Sequence, residues 1–594
     1  MFKSPFLFTV FSFCIAAIST SVEATSKVTN MTNQAQGQLP GVHVVRDPKA
    51  YYEQKLSAIA LARAQQWENA LPLLQDLTQQ YKEDGQTWYL LGLSYFNLQE
   101  WQQALAPLKQ ALNLGYRLEN IPTGAGNPND LMVIIAKAYA QLDDEKNALT
   151  WLEKALAARW DDKPKLAGRS LFSNEISADF KNIQDSEAFK NLAGDSVPEN
   201  LSRVQKWQLD LDYLVSEIKR LHVDMYHHVS EAEFTNKVHS IRKAINTSGD
   251  QQIVFEFMSL LGVLGNGHNL IIPAWGKYGS FTQLPMQFYW FSDGLYIVDA
   301  EQPYAHLVGY KVTHFGETLA EKALDLVGKI NARDNDMQQL WLAPYYLGLP
   351  QVLSGLNIVE DAVNVTLTLR PPDGKEQTVT PKAHAMTFAG FPKLPALKSA
   401  SYQRGLSRNN EPYWYENIVD KQLLYVQFND VRDDSELSFA EFNDELRQLI
   451  MTQSIEHLVI DLRHNSGGDG SILPPMVATA TLFEALKPDG KLFIIMGRNT
   501  FSAGHDLLVD LTRFTHPILV GEPSGTRPNA IAEAGWFNLP YSQQTGIISS
   551  QFHQKSSAED HRIWLAPDLP VSLSSAAYFN GQDLALDAVL NFVE

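Results

Sequence analysis

Ser502 stands where a polar turn runs into an apolar helical pattern, in RNTFSAGHDLLVDL, residues 498–511. A serine at such a join is either an N-cap, its hydroxyl accepting from the first helical turn, or a nucleophile backed by the positive end of the helix. The apolar run KLFIIMGR ahead of it reads as a strand, so the order is strand, short turn, serine, helix. The N–H of Ala503 then belongs to the unpaired first turn and can face an oxyanion. This is not the Gly-x-Ser-x-Gly elbow, because Thr500 takes the first glycine place. The choice between cap and nucleophile rests on whether a proton acceptor reaches Ser502.

Other stretches carry side chains suited to that chemistry. DLRHNSGG, residues 461–468, follows the apolar strand HLVI, and its glycine pair lets backbone N–H groups approach a ligand. Asp461 and Arg463 read as a structural pair at the strand end. In LGVLGNGHNLII, His268 offers an imidazole whose unperturbed pKa near 6.5 leaves it neutral and able to take a serine proton. His505, three residues after Ser502 and about one helical turn on, is a rival base or a residue lining the substrate pocket. A histidine base needs an acid to hold its tautomer, and SSAEDHRIWLAPDLPV offers Glu559 and Asp560. Arg527, in GTRPN, is a donor fork for a peptide carboxylate or a solvated surface side chain. His222, His227 and His228 lack metal-ligand spacing with nearby carboxylates, so neither a metal nor a cofactor is expected.

Taken in order, DLRHNSGG, NTFSAGHDL and VGEPSGTRPN resemble the C-terminal processing (tail-specific) serine peptidases, over roughly residues 205–594. The resemblance implies a crotonase-like (ClpP-like) catalytic domain preceded by a helical bundle and a PDZ-like module. It implies Ser502 as nucleophile, with an oxyanion hole from Gly467 or Gly468 and Ala503. Familiar bacterial members place a lysine base 25 positions after the serine, where this chain has Arg527. An arginine stays protonated, with a pKa above about 12, so that dyad is absent. The GNGHN step is similar to the glycine-histidine signature of the tricorn-core-like branch, which implies His268 as base, although Asn266 stands where an aspartate is usual. The same branch implies an acid before a Pro-Asp pair, here Pro567 and Asp568, and the offset from Ser502 favours Asp560. Relatives resembling the repeats of interphotoreceptor retinoid-binding protein use the fold to carry ligands without catalysis.

The elements that must position these residues follow from periodicity. WYLLGLSYFNLQEWQQALAPLKQAL sets Trp88, Leu91, Gly92, Tyr95, Ala104, Leu108 and Ala111 at a spacing that resembles tetratricopeptide repeats. Ala70 lies 34 residues before Ala104, and Ala148 lies 44 after it, with GYRLENIPTGAGNPND as the inserted loop. A concave peptide-binding stack and a plain helical spacer are both open readings. The organisation expected is a signal peptide over 1–24, a linker over 25–50, repeats over 51–160 and a helical linker over 161–204. A helical bundle over 205–275, a PDZ-like module over 280–385 and the catalytic domain over 415–594 complete it. Strand and helix alternate in the last part, which implies parallel pairing with crossover helices. The fold class is therefore multidomain, all-α repeats followed by a bundle, an α+β module and an α/β catalytic domain.

Composition bounds the partners. The 594 residues carry a formal net charge of −19, which argues against nucleic acid and anionic lipid. The opening MFKSPFLFTVFSFCIAAISTSVEA has one early lysine, an apolar run and a small-residue cut site after Ala24; an uncleaved anchor is the alternative. The one cysteine, Cys14, lies inside it, so the mature chain has no disulfide and no cysteine nucleophile. The expectation is an exported serine endopeptidase, periplasmic or secreted, without an integral membrane segment. Its substrate is a peptide or protein, with a further protein partner on the repeats. The alternatives are a non-catalytic ligand- or peptide-binding protein on the same fold and a repeat-based assembly factor.

Overall fold

The computed structural model describes residues 45 and 47–593, apart from 118–120, 123, 170–177, 195–196, 274–280, 388–391 and 398–403. The expected signal peptide and most of the linker lie outside the described residues. The first helix, Pro48–Arg63, begins inside the stretch read as linker. Asp47 accepts from the Lys49 and Ala50 N–H groups, and Pro48 occupies the first turn, so the start is locally encoded.

Helices then pack in pairs: Pro48–Arg63 with Trp67–Gln80, Gly85–Asn97 with Trp101–Leu114, and Pro128–Gln141 with Glu145–Ala157. Ala58, Ala70, Ala104, Ala138 and Ala148 are fully buried in this stack, where only small side chains let helix backbones approach. The stack is fastened to the next unit by buried charge. Lys163 Nζ lies 2.9 Å from Glu217 Oε1 on the helix Arg203–Leu221, and Arg220 of that helix donates to Trp160 O (2.8 Å).

Three helices, Arg203–Leu221, Glu231–Ala244 and Asp250–Gly262, share one hydrophobic core with the sheet that follows. That sheet orders Met286–Phe291, Gly294–Ala300, Lys311–Phe315, Leu367–Arg370 and Gln377–Val379, with Thr318–Leu319 beside Lys311–Phe315. The helix Ala320–Val327 follows from the sequence pattern; Asp336–Leu347 and Pro350–Gly355 do not. Pro344 and a run of aromatics disguise the first of these two, although Asn335 caps it through the Met337 and Gln338 N–H groups.

The last unit is built on a six-stranded sheet: Tyr413–Ile418, Leu423–Phe428, His457–Asp461, Lys491–Met496, Ile518–Gly521 and Leu569–Pro570. The first pair is antiparallel and the rest parallel, and Tyr413–Ile418 starts just ahead of the expected boundary at 415. Both faces are covered, as the fully buried LLYVQF strand requires. Leu424, Val426 and Phe428 point into a core with the helices Phe439–Thr452, Pro474–Leu486 and Ser502–Phe514. Leu423 and Tyr425 point the other way, against the C-terminal helix Leu584–Phe592. Three crossovers in strand order put their helices on one face, the outcome of a single handedness.

A smaller sheet ties the units together. Leu270–Ile272, which starts two residues after His268, pairs with Thr545–Ile548, which pairs with Gly535–Asn538. Phe501, Phe537 and Ile548 from the last unit enter the core of the helical bundle. Leu270, Ile547 and Trp536 stand in one cross-strand row.

Candidate active site

The strand Lys491–Met496 feeds a pinned link. Gly497 N–H donates to Thr500 Oγ1 (3.0 Å), the Thr500 hydroxyl donates to Leu462 O (2.9 Å), and Phe501 N–H donates to Asn465 O (3.0 Å). Thr500 thus holds, by its hydroxyl, a turn that lacks the first glycine of the usual elbow. The chain leaves this link with Ser502 at φ +50°, a left-handed conformation costly for a non-glycine residue. The capping position falls on Phe501, which makes no side-chain cap bond, and the first helical bond runs from His505 N–H to Phe501 O (3.3 Å). The Ala503 and Gly504 N–H groups lie ahead of that bond, at the positive helix end.

His268 arrives from the bundle. Its Nε2 is 3.2 Å from Ser502 Oγ, and its ring stacks on Phe501 at 4.4 Å and 20°. The side chain is 7% exposed, and burial pushes its pKa down to about 4, so the imidazole is neutral at pH 7. With the proton on Nδ1, Nε2 accepts from the serine hydroxyl; Nδ1 has no hydrogen-bond partner among the described residues. The loop carrying His268 is held by Asn266, whose Nδ2 donates to Ile531 O (3.1 Å) and to Ser549 Oγ. Asn266 Oδ1 meets His222 Nε2 (2.9 Å) and Asn269 Nδ2 (2.7 Å). An aspartate at 266 has no donor for Ile531 O, which accounts for the asparagine physically.

The glycine pair sits against the serine. Gly467 (φ +106°) approaches so closely that a Cβ there would lie 2.6 Å from Ser502 Cβ. Its N–H donates to Asn465 Oδ1 (3.0 Å). Gly468 (φ +143°) lies between two bonds to Val431, from Val431 N–H to Gly467 O and from Asp469 N–H to Val431 O. Its own N–H therefore faces away from Val431, and of the pair it is the donor left open. Asn465 joins the whole arrangement, since its Nδ2 also donates to Phe428 O (3.0 Å). Sequence reasoning passed over it; the available signal was an amide side chain two residues before the glycine pair, and the structure shows it with no exposed surface.

Ser502, His268, Gly467, Gly468, Ala503 and Arg527 line one open cleft of about 1720 Å³. Arg527 donates to Asp334 O (2.8 Å) and is part of the wall rather than a freely solvated side chain. Asp560 and His505 stand apart from the cleft. Asp560 is gripped by Arg562, Oδ2 to Nη2 at 2.7 Å, which holds its carboxyl far below the usual range. His505 is 1% exposed inside the domain, and burial drives its pKa down to about 4. The helix turn that brings it near Ser502 in sequence also covers it. Glu533, Asp506 and His553 line the cleft instead, and no local sequence pattern singled them out.

No protein-family model and no curated protein sequence matches the chain. Among solved structures it is similar to mature CPAF complexed with lactacystin, at 13% identity over 66% of this chain and 98% of that one, with a TM-score of 0.48. It is also similar to the photosystem II D1 C-terminal processing protease (14% identity, 65% of this chain and 97% of that one, TM-score 0.32). The tricorn protease is a further likeness (10% identity, 66% of this chain and 37% of that one, TM-score 0.29).

Proposed function

We propose that the chain is a serine-type endopeptidase. The observation that carries this is the 3.2 Å approach of His268 Nε2 to Ser502 Oγ across 234 residues of sequence. In this reading the Ser502 hydroxyl attacks a peptide carbonyl while His268 Nε2 takes its proton. The Gly468 and Ala503 N–H groups receive the oxyanion, assisted by the helix end. His268 then returns the proton to the leaving amine, and a water repeats the cycle on the acyl-enzyme. Support for peptide bonds over other acyl groups comes from the three motifs and from an open cleft able to take an extended chain. Arg527 is suited to the carboxylate of a substrate tail, and the helical stack to recruiting a partner or the substrate itself. The exported, periplasmic or secreted setting rests on the signal peptide expected over residues 1–24. Among the described residues no helix is long and apolar enough to cross a membrane.

A fluorophosphonate probe tests the reading. Ser502 becomes labelled in the folded chain, Ser502→Ala abolishes labelling, and His268→Ala slows it by about 10²-fold or more. A folded wild-type chain that takes up no probe overturns the proposal in favour of a binding protein on this scaffold. Peptides with free and amidated C-termini then report tail preference.

A further inference from the structure

Beyond the serine and histidine, the cleft holds a ring of charge. Glu533 occupies the short junction between the strands Asn529–Ala532 and Gly535–Asn538. Its φ is +71°, a left-handed backbone for a residue with a full side chain, which persists only where the surroundings impose it. The strand that follows is fastened from the segment just after the helical repeats, Trp536 N–H donating to Asp161 O (2.8 Å). Glu533 Oε2 lies 3.6 Å from His553 Nε2, and His553 Nδ1 lies 3.7 Å from Asp506 Oδ2. Asp506 is one turn after Ser502 on the same helix, so the series closes on the nucleophile.

We propose that Glu533 is the positioning residue for His268, the carboxylate that favours the imidazolium formed when Ser502 gives up its proton, and that His553 tethers it. This rests on the peptidase reading of the same site. Asp560, the acid suggested by sequence, is neutralised by Arg562, whereas Glu533 shares the cleft with His268 and Ser502. His268 is buried with Nδ1 unpartnered among the described residues, so the field of nearby charge matters more than in water. Glu533, His553 and Asp506 line the same cleft as His268, and of their charges that of Glu533 acts on the imidazole most strongly. Lys555 (3.4 Å) faces Asp506 from outside the ring, and Asp161 faces Glu533. His553, held between two carboxylates, has its pKa raised to about 9 and is a cation at neutral pH. It anchors Glu533 and opposes protonation of His268.

The two side chains therefore push His268 in opposite directions, which a merely structural role does not do. The test is the pH dependence of fluorophosphonate labelling in the full chain, together with an NMR titration of the His268 imidazole in histidine-labelled protein. Glu533→Gln slows labelling at least about tenfold, a part of the 10²–10⁴ that the proton acceptor itself supplies, and moves the acid limb down. Glu533→Asp restores part of the rate. His553→Gln moves the limb up by about one pH unit, and adding Glu533→Gln brings it down again. Thermal melts check that each variant is folded, and if Glu533→Gln does not fold, Glu533→Asp is the measured arm. Labelling and titration unchanged in Glu533→Gln, or a limb that His553→Gln leaves in place, overturns the assignment. Because the titration needs no reaction, a wild-type chain without labelling sinks the peptidase reading alone; an unmoved His268 sinks Glu533.

Discussion

Two cavities open beyond the carboxyl ends of the same sheet, and they treat polar groups in opposite ways. One, of about 760 Å³, is lined by Arg463, His464, Arg498, Glu522 and Asp583. Every charge there is answered. Arg463 meets Asp461 (2.6 Å) and Asp583 (2.6 Å), Arg498 meets Glu522 (2.6 Å), and His464 Nε2 meets Gly405 O (3.0 Å). The other is the Ser502 cleft, with a left-handed serine, a left-handed glutamate and an imidazole nitrogen without a partner among the described residues. A satisfied network builds architecture; groups left open and strained backbone mark where a ligand completes the set. Burial and charge density alone therefore point to the first cavity, strained backbone and unpartnered groups to the second.

The contrast is open to attack, beginning with acid. His268, His464 and His505 are all buried, with pKa values pushed down to about 4 by burial. A folded value below the unfolded 6.5 means stability is full above pH 6.5 and falls as the pH drops toward 4. Each histidine costs up to about 3 kcal/mol at the low end, so urea midpoints fall steeply across that window. A flat profile contradicts the burial of all three. Next, Arg463→Met strands two buried carboxylates and loses about 3–5 kcal/mol in a denaturant titration, while the folded fraction keeps its labelling rate. Lost labelling at unchanged stability would make the first cavity part of the reaction.

Gly467→Ala puts a methyl group 2.6 Å from Ser502 Cβ at φ +106°. It costs about 1–3 kcal/mol and suppresses labelling, read by the same two assays. Ser502→Gly is the smallest and runs the other way. Relief of the left-handed serine stabilises the chain by about 1 kcal/mol in the denaturant titration, and labelling disappears. A destabilised Ser502→Gly would return the serine to the role of a helix cap.

Much of the frame was legible in the residues. Strand and helix alternation after Leu423 is a local property, and so is the helix that opens at Ser502. Asp461 and Arg463, two residues apart at a strand end, pair as their spacing suggests. Reasoning by offset was less successful with the acid, because Asp560 has Arg562 two residues away and a short fork forms first. His505 misled for a related reason: proximity along a helix says nothing about which side the domain covers. Glu533 and His553 escaped because each meets its partner far along the chain, and Asp506 and Asn465 because the contacts that give them a place, to His553 and to Phe428 O, are equally distant.

From sequence alone came the residue types, the turn before Ser502 and the glycine pair, since these depend on backbone geometry over a few neighbours. Only the tertiary structure decided that His268 is the imidazole at the serine, that Gly468 is the open donor, and which carboxylates face the cleft. The bundle and the last unit meet because Phe501 and Ile271 bury apolar surface in one shared core. That burial is non-directional and long-range in sequence, so no short window of residues can announce it.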